Sequence, residues 1–185
     1  MSPYKGKKTI YLDLDGVCVD WMSAFLKVVN DPNMLSTWPK GKKYYDIKPM
    51  PIEEYARIMK EQGSKFWANL KPYPWFKDMY DALSEIGDVC FLTSPGRESS
   101  APTGKMEWFQ ETFGKEFDSF IITKQKHRLA NLNSVLIDDT EAMINAFVRA
   151  GGKGILFPAP WNNVIEPKPE EYPAYIVQRV LEEFK

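Results

Sequence analysis

The stretch YLDLDGVCVDW, residues 11 to 21, alternates apolar and acidic side chains over its first five positions. Alternation with a period of two is the pattern of a β-strand, in which residues i and i+2 project to one side. Asp13 and Asp15 then share a face, and Gly16 marks the end of the strand. Two carboxylates on one face of a hydrophobic strand repel each other and resist dehydration unless they stand at its carboxyl edge beside a cation. The stretch therefore predicts a strand that delivers two acids into a crevice.

Working outward, four more short β-branched runs read as strands: VCFLTS (89 to 94), SFIIT (119 to 123), SVLIDD (134 to 139) and KGILF (153 to 157), after TIYLDLD (9 to 15). Between them lie the helical patterns PWFKDMYDALSEIG, GKMEWFQETFG and TEAMINAFVRAGG, each closing on glycine. Strands alternating with helices of this length predict an α/β fold, a Rossmann-like parallel sheet covered by helices on both faces. More than 70 residues separate the first two strands, far more than one crossover helix needs. Residues 20–72 are thus expected to form a small helical cap, built from DWMSAFLKVVN, the basic and aromatic loop STWPKGKKYYDIKP, and the helix PIEEYARIMKEQG. Residues 1–19 and 73–185 are expected to form the core, closed by the amphipathic tail PEEYPAYIVQRVLEEFK.

At 185 residues the chain suits one main domain with an insertion, and a hydrophobic fraction of 44% with 26% charged residues is that of a folded globular chain. A formal net charge of -1 provides no global field for nucleic acid or an anionic membrane, so an anionic ligand must be held locally. No apolar run reaches the roughly 18 residues of a membrane span, and the basic start MSPYKGKK lacks the apolar core of a signal peptide. Cys18 and Cys90, both in apolar surroundings, read as buried thiols of a reducing compartment, and a cytoplasmic location is expected.

Ligands of open α/β sheets bind at the carboxyl edge of the strands. There the sequence places Asp13 and Asp15, then Thr93 and Ser94, then Lys124 and Lys126, then Asp138 and Asp139. Four carboxylates need a cation, and an all-oxygen set suits Mg²⁺, which binds through a few carboxylates together with substrate phosphate. Lysines and hydroxyls can take the phosphate oxygens. An EF-hand loop fails, because Gly16 follows the second Asp directly and the twelfth residue from Asp13 is Ala24. A phospho-accepting receiver domain fails on order, because its acidic pair ends the first strand whereas Asp138 and Asp139 end the fourth.

The order D-x-D-G-V, T-S, Lys and D-D resembles the haloacid dehalogenase superfamily of aspartyl phosphotransferases over nearly the whole chain. More narrowly, DLDGVCVDW, FLTSPG, ITKQK, LIDD, FWANLKPYP and the PW after the fifth strand resemble the 5'(3')-deoxyribonucleotidase family. That resemblance implies a Mg²⁺-dependent phosphatase of deoxynucleoside monophosphates, a small-molecule phosphomonoester hydrolase. Asp13 would be the nucleophile and Asp15 the acid and base; Thr93 and Lys126 would hold phosphoryl oxygens. Asp13, the Asp15 carbonyl, Asp138 and Asp139 would serve the metal. Trp21 would face the base, with Tyr45, Tyr44 and Trp67 as further stacking residues. Ser94, Arg97 and Lys124 would extend the phosphate or sugar contacts, although lysine at 124 lacks the bidentate geometry of arginine. A phosphatase of nucleic-acid 3' ends or of another phosphorylated metabolite is the alternative. The sequence leaves the oligomeric state open, a homodimer included.

Overall fold

In the computed structural model, residues 8–165 and 167–185 are described; the basic segment 1–7 lies outside them. Five strands, β1 (Thr9–Leu12), β2 (Asp88–Thr93), β3 (Phe120–Ile122), β4 (Ser134–Asp138) and β5 (Lys153–Leu156), pair in parallel in the order β3-β2-β1-β4-β5. The chain leaves β1 towards β2 and β3, then returns to the opposite side for β4 and β5. The central strand therefore lies at the point where the strand order reverses, which opens a crevice beyond its carboxyl end.

Strand alternation divides the core between the two faces. Ile10, Leu12, Phe91, Val135, Ile137 and Ile155 enter one buried cluster, covered by α4 (Phe76–Ser84), α5 (Ser100–Phe113) and α7 (Tyr172–Glu183). Tyr11, Leu92, Leu136 and Leu156 face the other side, where α6 (Glu141–Arg149) packs Ile144 and Phe147 onto them. This is the two-sided cover that the near-continuous apolar strands require.

The segment after β1 carries α1 (Trp21–Val28), a 3₁₀ turn at Met34–Thr37, α2 (Tyr44–Ile47) and α3 (Ile52–Ala68). Asp20 starts α1 by accepting a hydrogen bond from the Ser23 amide at 3.0 Å. Phe25, Leu26, Tyr55, Met59 and Trp67 of this segment join the same cluster as Leu12 and Phe91, so the insertion has no separate apolar interior.

Several boundaries differ from those expected. β1 stops at Leu12, so Asp15 lies in the turn beyond it rather than on the strand. Gly16 adopts φ 79°, and the Cys18 and Val19 amides both turn back to the Leu14 carbonyl. A period-two reading cannot see that turn because Leu14 remains buried there. The expected helix GKMEWFQETFG begins at Ser100, with Pro102 in the first turn where its missing N–H is harmless. α3 runs on through SKFWA as two helical pieces joined at Gly63. Cys18 is buried and donates to the Asp13 carbonyl at 3.1 Å, whereas Cys90 is only partly buried; both are free thiols. Among the described residues, no helix is long and apolar enough to cross a membrane.

Candidate active site

Asp13 follows β1 and its amide continues the ladder by donating to the Ile137 carbonyl at 2.9 Å. This fixes its side chain beside Asp138, the last residue of β4. Lys126, 2% exposed at the start of the 3₁₀ turn Lys126–Leu129, lies with Nζ 2.7 Å from Asp13 Oδ1 and 2.7 Å from Asp138 Oδ2. Burial alone would lower the Lys126 pKa, but the charges of Asp13 and Asp138 outweigh it and raise the pKa, so the ammonium stays charged.

One ammonium does not balance the acids around it. Carboxylate oxygens of Asp13, Asp138 and Asp139 all lie within 4.8 Å of one another, and all three residues are buried. Burial and then the Asp13 charge push Asp138 up to about 6, against the opposing pull of Lys126. Asp139 is raised well above the carboxylate range, first by burial and then by Asp138 and Asp13, although Trp161 and Thr140 donate to it. Buried carboxylates that resist ionisation at this separation fit a hard divalent cation, which the all-oxygen donor set suits.

Asp15 belongs to a second ion pair that the sequence reading did not include. Its Oδ2 is 2.5 Å from Nζ of Lys105, which also donates to the Thr93 hydroxyl at 2.9 Å and the Ser94 carbonyl at 2.7 Å. Lys105 is 1% exposed and sits 5.1 Å from the Trp67 ring centroid. Gly104 permits this approach of α5 to α3, since a Cβ there would lie 2.2 Å from the Ser64 carbonyl oxygen. A sequence signal did exist. Ala101, Gly104, Lys105, Trp108 and Phe109 form the buried stripe of α5 at helical spacing, and Lys105 is its one charged member.

Asp15 keeps 25% of its side-chain surface exposed, and its Oδ1 has no partner. Dehydration, with a smaller push from Asp13, raises its pKa against the opposing charges of Lys105 and Lys126. The four acids thus divide into a triad around Lys126 and a single, partly exposed carboxyl tied to Lys105.

The cleft beyond them encloses about 740 Å³, within the range of small-ligand pockets. Asp13, Asp15, Ser94 and Asp139 line its floor, and Trp21, Tyr44, Tyr45, Tyr55 and Trp67 bring aromatic walls from the insertion. Trp21 stacks on Phe25 at 5.1 Å and lies 6.4 Å from Trp67 with 22° between the planes. The indole N–H groups of Trp21 and Trp67 are buried without a partner. Thr93 is fully buried beneath Lys105. Arg97 and Lys124 are exposed and do not line the cleft.

Residues 7–171 match the family model described as "5' nucleotidase, deoxy (Pyrimidine), cytosolic type C protein". The chain belongs to this nucleotidase family. It is a phosphoric monoester hydrolase of the 5'-nucleotidase type within the haloacid dehalogenase superfamily. Solved structures share the fold at low identity. A haloacid dehalogenase-like hydrolase from Xanthomonas campestris has a TM-score of 0.59 and 12% identity over 97% of this chain and 95% of its own. A haloacid dehalogenase-like hydrolase from Streptococcus pneumoniae has a TM-score of 0.58 and 14% identity over 97% and 99%. A putative hydrolase of this type from Bacillus subtilis, bound to magnesium, has a TM-score of 0.57 and 12% identity over 94% and 98%. No curated protein matches the sequence. In this nucleotidase, the cleft brings together acids that the sequence places at the carboxyl edge of the sheet, with Lys126 paired to Asp13 and Asp138.

Proposed function

We propose that the protein hydrolyses deoxyribonucleoside monophosphates with Mg²⁺, through a phosphorylated Asp13. The observation that carries this reading is the separation of two carboxyls by environment. Asp13 is held beside an ammonium and two further acids, while Asp15, two residues on, is raised in pKa and partnered by a different lysine. Such a pair provides a nucleophile and a proton donor.

Asp13 would attack phosphorus and form an acyl phosphate as the ester P–O bond breaks; Asp15 would give its proton to the departing nucleoside oxygen. Asp15, now ionised, would take a proton from water as that water attacks phosphorus, which frees Asp13 and releases inorganic phosphate. Lys126 would offset charge on Asp13 and on the phosphoryl oxygens, and Thr93 would contribute its hydroxyl. Lys105 would keep Asp15 aimed at the cleft. Asp13, Asp138, Asp139 and the Asp15 carbonyl would hold Mg²⁺, which supplies electrostatic stabilisation of the phosphoryl oxygens.

Residues 20–72 would act as the cap that chooses the substrate, since the remaining residues of the cleft floor handle only phosphate. A planar base fits the aromatic walls, and the free indole donors of Trp21 and Trp67 suit its carbonyl oxygens. The family description supports a pyrimidine deoxynucleotide and a cytosolic location. Turnover of dUMP and dTMP, compared with ribonucleotides, sugar phosphates and a 3'-phosphorylated oligonucleotide, tests the reading. Preference for the deoxynucleotides, lost on chelation, is expected; equal or better turnover of the oligonucleotide overturns the substrate assignment.

A further inference from the structure

The loop that follows β5 contributes to the site in a way the proposed chemistry does not use. The indole N–H of Trp161 donates to Asp139 Oδ2 at 2.8 Å, while the Thr140 hydroxyl donates to Oδ1 at 3.1 Å. Asn162, itself buried, donates to the Asp139 carbonyl at 2.9 Å and to the Phe157 carbonyl at 2.8 Å. The Asp139 carboxylate is therefore held at both oxygens and its backbone is tied to the same loop.

The opposite side of this loop is gripped by the insertion. The Gly41 amide donates to the Pro160 carbonyl at 2.9 Å and Lys40 Nζ donates to the Ala159 carbonyl at 3.2 Å. The Trp38 ring meets the Trp161 ring edge to face at 6.1 Å, and its own N–H is fixed on the Lys42 carbonyl at 2.7 Å. Trp161 thus touches an acid of the triad with its N–H and the insertion with its ring. A carboxylate released from such a donor rotates, and the orientation a cation needs becomes one of several.

We propose that Trp161 is a positioning residue that aims the Asp139 carboxylate at a divalent cation and couples that site to the seating of residues 38–43. Coupling between two sites is reciprocal, so metal binding and loop docking strengthen each other. The proposal rests on Asp13, Asp138 and Asp139 being the metal ligands.

Calorimetric titration of MgCl₂ into the metal-free full-length protein, without substrate, reads this directly. Trp161→Phe keeps a ring against Trp38 and removes the N–H. Its Mg²⁺ dissociation constant should rise about tenfold, the lower end of the effect of removing a partner that orients a ligand. Trp38→Leu should weaken Mg²⁺ severalfold, and should add nothing in the Trp161→Phe background. Metal-free thermal midpoints follow the fold separately; a merely structural Trp161 would lower the midpoint and leave the dissociation constant unchanged. If Trp161→Phe does not fold, Trp38→Leu carries the test, and unchanged affinity in it overturns the proposal. Wild-type protein that binds Mg²⁺ as tightly as both variants overturns this inference alone; wild-type protein that binds no Mg²⁺ overturns the ligand assignment with it.

Discussion

Lys105 and Lys126 share the four acids between them, and the division gives Asp13 and Asp15 different partners. Lys126 serves the buried triad; Lys105 serves Asp15. Lys105→Met should lower kcat about 100-fold, the scale of a general acid and base contribution, with a much smaller change in KM. Removal of a positive charge raises the Asp15 pKa further, so the step that needs ionised Asp15 should require higher pH. A pH profile of kcat should show its rising limb displaced upward; an unmoved limb contradicts the role. Asp138 makes a stability prediction of defined sign. Its pKa is about 6 when folded against an ordinary 3.8, so its stabilising contribution is full below 3.8 and is lost as pH rises through about 6. Lys126, raised above 10.5, contributes equally across this window and drops out. In chelator, raising pH from about 5 to about 7.5 should cost on the order of 1 kcal/mol from Asp138, at about 1.4 kcal/mol per pKa unit. Thermal melts should show the midpoint falling, with Mg²⁺ reversing the loss; a midpoint that rises in chelator would contradict it. Asp13, Asp15, Asp138 and Asp139 were legible because each follows an apolar strand. Lys105 was not singled out, since a lysine in a helix is ordinarily solvated and only its place in the stripe with Ala101 and Trp108 marks it as buried.

Elements set the geometry that the residues exploit. Gly16 turns the chain directly after the acids, with φ 79°, and a Cβ at that position would lie 2.1 Å from Asp139 Oδ2. Gly16→Ala should therefore impair folding and activity together, by more than the roughly 1 kcal/mol of an ordinary left-handed glycine replacement. Asp20 caps α1 and also accepts from the Tyr73 hydroxyl at 3.3 Å. Asp20→Ala should cost about 1 kcal/mol of stability in chemical denaturation. It should also raise KM more than it lowers kcat, because α1 presents Trp21. The five strands and their helices were legible from periodicity and glycine stops. Their ends were less so: the alternation of YLDLD continues past the point where backbone pairing stops, and α3 crosses Gly63, which a pattern reading takes as a terminus.

At the scale of the molecule, the sheet brings β1, β2 and β4 side by side so that acids distant in sequence share one crevice, while the insertion supplies aromatic walls. A long connection after β1 was legible from loop length alone. The docking of residues 38–43 onto the loop after β5 was not, because it consists of one backbone hydrogen bond, one from the Lys40 side chain to a carbonyl, and a contact between two tryptophans more than 120 positions apart, which leave no periodic trace. The distribution of labour predicts that changes in the aromatic walls alter the choice of substrate while those on the floor abolish the reaction. Trp21→Ala should thus raise KM for dUMP by more than tenfold while turnover of an aryl phosphate, which needs no base contact, changes little in steady-state assays. That figure corresponds to about 1.4 kcal/mol, the scale of one aromatic stack.

The most direct test is an acid-quenched reaction of the enzyme with dUMP and Mg²⁺, followed by mass analysis of the peptide that contains Asp13. A hydroxylamine-labile phosphate on Asp13 is expected in the wild type, and neither the phosphate nor turnover in Asp13→Asn. Hydrolysis of dUMP by Asp13→Asn at the wild-type rate would contradict the assignment of Asp13 as the nucleophile.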